Sequence, residues 1–181
     1  IRWQVDVLKQ FADEVIIFID EPILSALGSS AYLGVNPGEA MRLIEETANT
    51  VKEAGGISGI HCCGNADWPS VLKSSVDILN FDAYGYFDAF AMYHSEVRGF
   101  LEKGGYLAWG IVPTTDAIKD ESFYSIKKRF SYGIEKLSKS IPSDLILSRM
   151  ILTPSCGTGS RSIEETEKIF QLLIRLEDAV S

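Results

Sequence analysis

Histidine and cysteine are nearly absent from this chain: two of the first and three of the second in 181 residues. Three cysteines, an odd number with Cys62 and Cys63 adjacent, do not make a disulfide framework, and the expectation is a reducing, cytoplasmic location. Long apolar runs are also missing. None approaches the roughly 20 residues that span a bilayer, and the run Val15-Ile16-Ile17-Phe18-Ile19 is bounded by charges. No basic segment leads into an apolar one, so no secretory signal is visible. Positive charge is the scarcer sign, with 17 Lys and Arg against 25 Asp and Glu and a net charge of -8. That balance argues against a nucleic-acid surface, which wants a basic patch, and against attraction to anionic membranes.

What is present reads as one globular domain over residues 1–181, 46% hydrophobic and 23% charged, long enough to bury a proper core. Apolar periodicity predicts helices over residues 2–13, 37–54, 68–74, 90–103 and 121–140, and a last one capped by Ser162 with Glu165 in the capping-box position. The last helix's apolar stripe reads as Ile163, Phe170, Leu173, Ile174 and Val180. Between them, β-type runs predict strands over residues 15–19, 57–63, 76–81, 106–112 and 150–153, the continuous apolar run of the first suiting a strand buried on both faces. A Gly- and Ser-rich loop is expected over 25–35, and a short turn over 142–147. Asn36-Pro37-Gly38-Glu39 opens the second helix with an N-cap and a proline at the first helical position.

Each predicted strand ends in a polar or ligand-type residue: Asp20, then His61 with Cys63, Asp82, Thr114 and Cys156. Strands alternating with helices imply an α/β fold of parallel βα units, with one rim where all the strand ends meet, and sites in such folds are built at that rim. Five units are too few to close an eight-stranded barrel, which takes about 250 residues. An open sheet of this kind invites self-association.

The scarce residues concentrate in Gly59-Ile60-His61-Cys62-Cys63-Gly64 and in Thr153-Pro154-Ser155-Cys156-Gly157. On a strand, His61 and Cys63 share a face while Cys62 points the other way. An imidazole and a thiolate so placed can reach one zinc ion, with Cys156 as third ligand and a fourth position left for substrate. The spacing alone admits a second reading, in which the cysteines are small buried hydrophobes. Cys62 is assigned to packing. His94, the other histidine, is read as a surface or packing residue, and Trp3, Trp68 and Trp109 as core or rim packing.

His61-Cys62-Cys63-Gly64, Pro154-Ser155-Cys156-Gly157 and Ile19-Asp20-Glu21-Pro22 together resemble the catalytic domain of cobalamin-independent methionine synthase. They also resemble the methylcobalamin-dependent thiol methyltransferases, within the uroporphyrinogen decarboxylase-like superfamily of barrels. The resemblance runs from about Ile16 to about Arg161. It implies a TIM-type (β/α)8 barrel of which these are the C-terminal five strands, with an N-terminal half missing from this sequence; a homo-oligomer is the other expectation, from the open sheet. It also implies a zinc held by His61, Cys63 and Cys156, with Asp20 meeting the substrate amine and Glu21 nearby on the rim. The family's fourth ligand is a glutamate at the end of the next strand. Here that position holds Asp82, shorter by one methylene, which leaves open whether it ligates or stands behind the ligands. The family's Asp-x-His segment after the following strand is absent, this chain reading Pro113-Thr114-Thr115-Asp116.

The chemistry so implied is methyl transfer to a zinc-bound thiol, with homocysteine the first candidate acceptor and coenzyme M the second. The donor is a methylcobalamin-bearing corrinoid protein in preference to methyl-folate, and the corrin would come from a partner, since no cobalamin-binding motif is seen. Two other readings are a metal-free decarboxylase of the same superfamily, which gives His61, Cys63 and Cys156 no role, and a non-catalytic module whose zinc is purely structural or which assembles with a partner.

Overall fold

A computed structural model of the chain describes residues 1–25 and 36–180; most of the loop expected over 25–35 lies outside the described residues. The elements are α1 (Arg2–Leu8), β1 (Ile16–Asp20), a 3₁₀ turn (Pro22–Ser25), α2 (Pro37–Glu53), β2 (Ile57–Cys62), α3 (Trp68–Lys73), β3 (Ile78–Phe81), α4 (Ala83–Phe90), α5 (His94–Glu102), β4 (Tyr106–Val112), α6 (Phe123–Ser138), α7 (Ser143–Ser148), β5 (Met150–Pro154) and α8 (Ile163–Val180). The five strands form one parallel sheet in the order β1-β2-β3-β4-β5. Sequential order with right-handed crossovers puts the crossover helices on one face. The packing agrees, with α2 against β1 and β2, α4 and α6 against β4, and α8 against β5.

The two faces divide the side chains by type. Toward the helices point Ile60, Cys62, Leu79, Phe81, Leu107, Trp109 and Ile111, all in the buried core. Rings interlock there, Phe81 stacking on Phe90 at 4.0 Å and Phe87 on Trp109 at 5.4 Å between centroids, each pair adding about 0.5–1.5 kcal/mol beyond its buried area. On the opposite face, strand pairing aligns Phe18 with Gly59, Asp20 with His61, His61 with Asn80 and Asn80 with Ala108. That face is small and polar, and it carries the candidate site.

Local signals account for most boundaries. The Asn36 side chain accepts hydrogen bonds from the Gly38 and Glu39 amides and starts α2, and Ser162 and Glu165 bond each other's backbone amides at the head of α8. Four expectations are corrected. Residues 83–89 are helical: Asp82 accepts from the Gly85 amide at 2.8 Å and caps α4, and a 3₁₀ turn over Ala91–Tyr93 separates α4 from α5. The buried face of α8 is Ile169, Leu172, Leu173 and Leu176, whereas Ile163, Phe170 and Ile174 are 76%, 49% and 58% exposed. Two apolar stripes share this helix, and the sheet takes the one about a quarter-turn away from that expected. Finally, β1 is an edge strand with Ile16 and Phe18 exposed, and Trp3 lies on the surface.

Candidate metal centre

The carboxyl ends of β1, β2 and β5 converge on one rim. His61 is the next-to-last residue of β2 and Cys63 follows the strand, on the same face, while Cys62 between them turns into the core and is fully buried. Gly64 lets the chain turn here: a Cβ on it would stand 2.6 Å from the Cβ of Ser25, in the 3₁₀ turn after β1. Cys156 arrives from the far edge of the sheet. Ser155 anchors it, donating its amide to the Val112 carbonyl at 2.8 Å and accepting the Thr114 amide on its hydroxyl at 3.1 Å. The strand register slips between Gly110 and Val112, where β4 and β5 end, and this carries the chain inward.

The result is a group of three potential ligands, His61, Cys63 and Cys156, whose donor atoms all lie within 4.8 Å of one another. A tetrahedral ion with sulfur at about 2.3 Å and nitrogen at about 2.0 Å holds its ligand atoms roughly 3.5–3.8 Å apart. Closing the group on a common ion therefore takes side-chain shifts of about an ångström. His61 meets Asn80 through Nδ1, while its Nε2 is buried without any hydrogen-bond partner among the described residues. A buried polar atom with no partner costs on the order of 1–3 kcal/mol, and a cation beside two cysteines relieves that cost. Burial, followed by the negative charges of Cys63, Asp20 and Asp82, raises the Cys156 thiol above its ordinary value. A neighbouring cation reverses that balance and favours the thiolate.

The residues expected at the site divide into two sets. Asp20 and Glu21 line a cavity of about 470 Å³ together with Phe18, Pro22, His61, Cys63, Asn80 and Cys156. The Glu21 amide donates to the His61 carbonyl at 3.1 Å and sets the two acids beside β2. Asp82, in contrast, is not in the three-residue group. Its carboxylate is engaged at the head of α4, and burial raises its pKa. One of its carboxylate oxygens is thus held by the first turn of the helix. Thr114 turns to Ser155, as above, and His94 is exposed at the start of α5.

Three residues went unnoticed in the sequence reading: Asn80, Thr153 and Ser155. Asn80 is nearly buried mid-strand in Ile78-Leu79-Asn80-Phe81. An amide in an otherwise apolar run was the available signal.

No protein-family model matches the chain, and no curated protein matches it. The fold and site define a class no narrower than a parallel α/β protein with a His/Cys/Cys group at the carboxyl rim of its sheet.

Proposed function

We propose that the protein transfers a methyl group to the sulfur of a small aminothiol, homocysteine first, at a zinc held by His61, Cys63 and Cys156. The observation that carries this reading is the convergence of those three side chains, from segments more than ninety residues apart, beside an imidazole nitrogen that has no hydrogen-bond partner among the described residues. Zinc bound there would keep a substrate thiol as its thiolate at neutral pH. Two thiolates and a neutral imidazole offset the ion's charge. With Asp82 outside the group, the described residues supply three ligands, the number that leaves a position for substrate and that argues against a closed structural site.

The chain's own residues then bind and orient. Phe18, Pro22 and Pro154 form apolar walls. Asp20 and Glu21 are the charged groups of the cavity, and no Lys or Arg is among its described lining residues. That charge fits the ammonium group of homocysteine and repels the sulfonate of coenzyme M. Methyl transfer breaks the donor's bond to methyl and forms a sulfur–methyl bond on the acceptor, and the thiol's proton leaves on binding. The donor is a methyl-corrinoid protein in preference to methyl-folate, on the resemblance of the His-Cys-Cys-Gly motif. On the same resemblance the five βα units form a sector of an eight-stranded TIM-type barrel, the remaining strands coming from elsewhere. The sequential strand order and the siting of the group at the carboxyl rim support that view.

Metal analysis tests the site. We expect about one zinc per chain, lost in His61→Ala and in Cys156→Ser; metal content unchanged by either substitution overturns the ligand set. Catalysis is tested with methylcobalamin and homocysteine, methionine being the readout. X-ray absorption completes the pair, because a zinc shell that does not gain a sulfur when homocysteine is added rules out this chemistry while leaving the metal in place.

A further inference from the structure

We propose that Asn80 is the residue that makes His61 a metal ligand, by fixing its tautomer and by tying its strand to the one that leads into Cys156. This deepens the metal reading above and rests on it. Asn80 is 8% exposed at the centre of the sheet's polar face, and its amide can be oriented from its partners alone. The Ala108 carbonyl only accepts, so the atom 2.8 Å from it is the amide nitrogen. The same nitrogen donates to Thr153 Oγ1 at 2.8 Å. Oδ1 is left facing His61 Nδ1, and an imidazole nitrogen meets a carbonyl-type oxygen only by donating. The proton of neutral His61 is therefore on Nδ1 and the lone pair on Nε2, the atom with no hydrogen-bond partner among the described residues.

Asn80 also spans strands. It sits on β3, its Oδ1 reaches β2 and its nitrogen reaches β5, passing over β4. The β4 residues beneath this span, Ala108 paired with Asn80 and Gly110 paired with Thr153, have almost no side chain. A single amide thus reads both ligand-bearing segments, since Thr153 lies three residues before Cys156. Asn80 acts through His61 and is a positioning residue; outer partners of this kind typically change metal affinity about 10–100-fold.

The test uses the full chain as wild type, Asn80→Leu, Asn80→Asp and Thr153→Val. Nitrogen-15 NMR of the metal-free proteins, at a pH where imidazole is neutral, reads the His61 tautomer, and chelator competition reads zinc affinity. We expect Nδ1–H to dominate in the wild type and in Asn80→Asp, whose carboxylate still accepts from Nδ1. In Asn80→Leu the preference is lost and zinc binds about 10–100-fold more weakly. Thr153→Val keeps the shape, removes one anchor and loses affinity to a smaller extent, and it carries the test should Asn80→Leu not fold. Dominant Nε2–H in the wild type overturns the proposal. So does a tautomer and zinc affinity unmoved in folded Asn80→Leu or, in its stead, Thr153→Val, the pattern of a purely structural side chain. If no variant binds zinc while the wild-type tautomer is Nδ1–H and shifts with Asn80, the metal reading fails and the positioning of His61 stands.

Discussion

Cys62 and Cys63 are neighbours in the chain with opposite surroundings, because successive side chains of a strand point to opposite faces. Cys62 is buried in the core and its thiol is pushed up by that burial, whereas Cys63 is exposed at the rim and Cys156, although burial also raises its thiol, reaches solvent there. Alkylation of the metal-free native protein should therefore modify Cys63 and Cys156 and spare Cys62, and added zinc should protect both reactive thiols. Mass spectrometry of the peptides decides it; rapid labelling of Cys62 in the folded protein contradicts the assignment. Cys62→Ala should keep zinc while losing about 1 kcal/mol from the small cavity it leaves, and Cys63→Ala should lose zinc with the metal-free stability almost unchanged. The three candidate ligands were legible in the sequence because histidine and cysteine are rare and strand alternation sorts them by face. Asn80, Thr153 and Ser155 were not, since common polar residues acquire meaning only when strands β2, β4 and β5 are laid beside them. The capping role of Asp82 was not legible either: a carboxylate that ends a strand also begins the next helix, and its side chain accepts from the Gly85 amide there.

Elements and their junctions set where the ligands stand, and the junction of β4 with β5 is the most constrained. A Cβ on Gly110 would lie 2.5 Å from the Phe81 carbonyl oxygen and 2.8 Å from the Cα of Ser155. Both are backbone atoms that cannot swing aside. Gly110→Ala should cost about 1–3 kcal/mol in a denaturant melt and weaken zinc binding, because the strain moves the residue preceding Cys156; full zinc affinity in this variant would show that the Cys156 loop is set elsewhere. A second junction, between α4 and α6, is electrostatic. Lys136 bonds Asp88 at 2.6 Å, and with help from Tyr132 it holds the Asp88 carboxyl below its ordinary value while Asp88 raises the Lys136 ammonium. A depressed carboxyl pKa contributes stability above its unfolded value, near 3.8, and loses it as pH falls through the folded one. The raised lysine contributes below its unfolded value, near 10.5, and loses it as pH rises through the folded one. The tie is therefore complete between about pH 4 and pH 10. With Asp88 72% exposed the coupling is on the order of 0.5 kcal/mol; a double-mutant cycle of Asp88→Asn and Lys136→Met should read it at pH 7 and find it fading as the Asp88 carboxylate is protonated in acid. Strand and helix order was readable from periodicity, and the head of α2 from its cap. The phase of α8 was not: its two apolar stripes are equivalent until the sheet is present to choose between them.

The molecule as a whole has a closed face and an open one, and its sheet has two ends at which, among the described residues, no strand pairs with β1 or β5. Apolar surface accompanies both ends. On β1 itself Ile16 and Phe18 are exposed, and beside β5 the second stripe of α8 forms a groove with Leu147 and Ile151 in which Phe170 and Ile174 stay half exposed. Exposed apolar surface and unpaired strand edges drive chains together, while a net charge of -8 drives them apart. Salt separates the two forces, because about 1 M shortens the Debye length to roughly 3 Å and silences the repulsion without weakening apolar contact. Sedimentation of this 181-residue chain should accordingly show a mass above 20.0 kDa that grows with concentration and grows further with salt. Ile174→Lys in the groove should lower that association and leave the melting temperature nearly unchanged, since the side chain it replaces is already 58% exposed. An association that salt weakens would place the attraction in charge rather than in the open sheet, and a mass fixed at that of one chain at high salt would mean that neither end is adhesive.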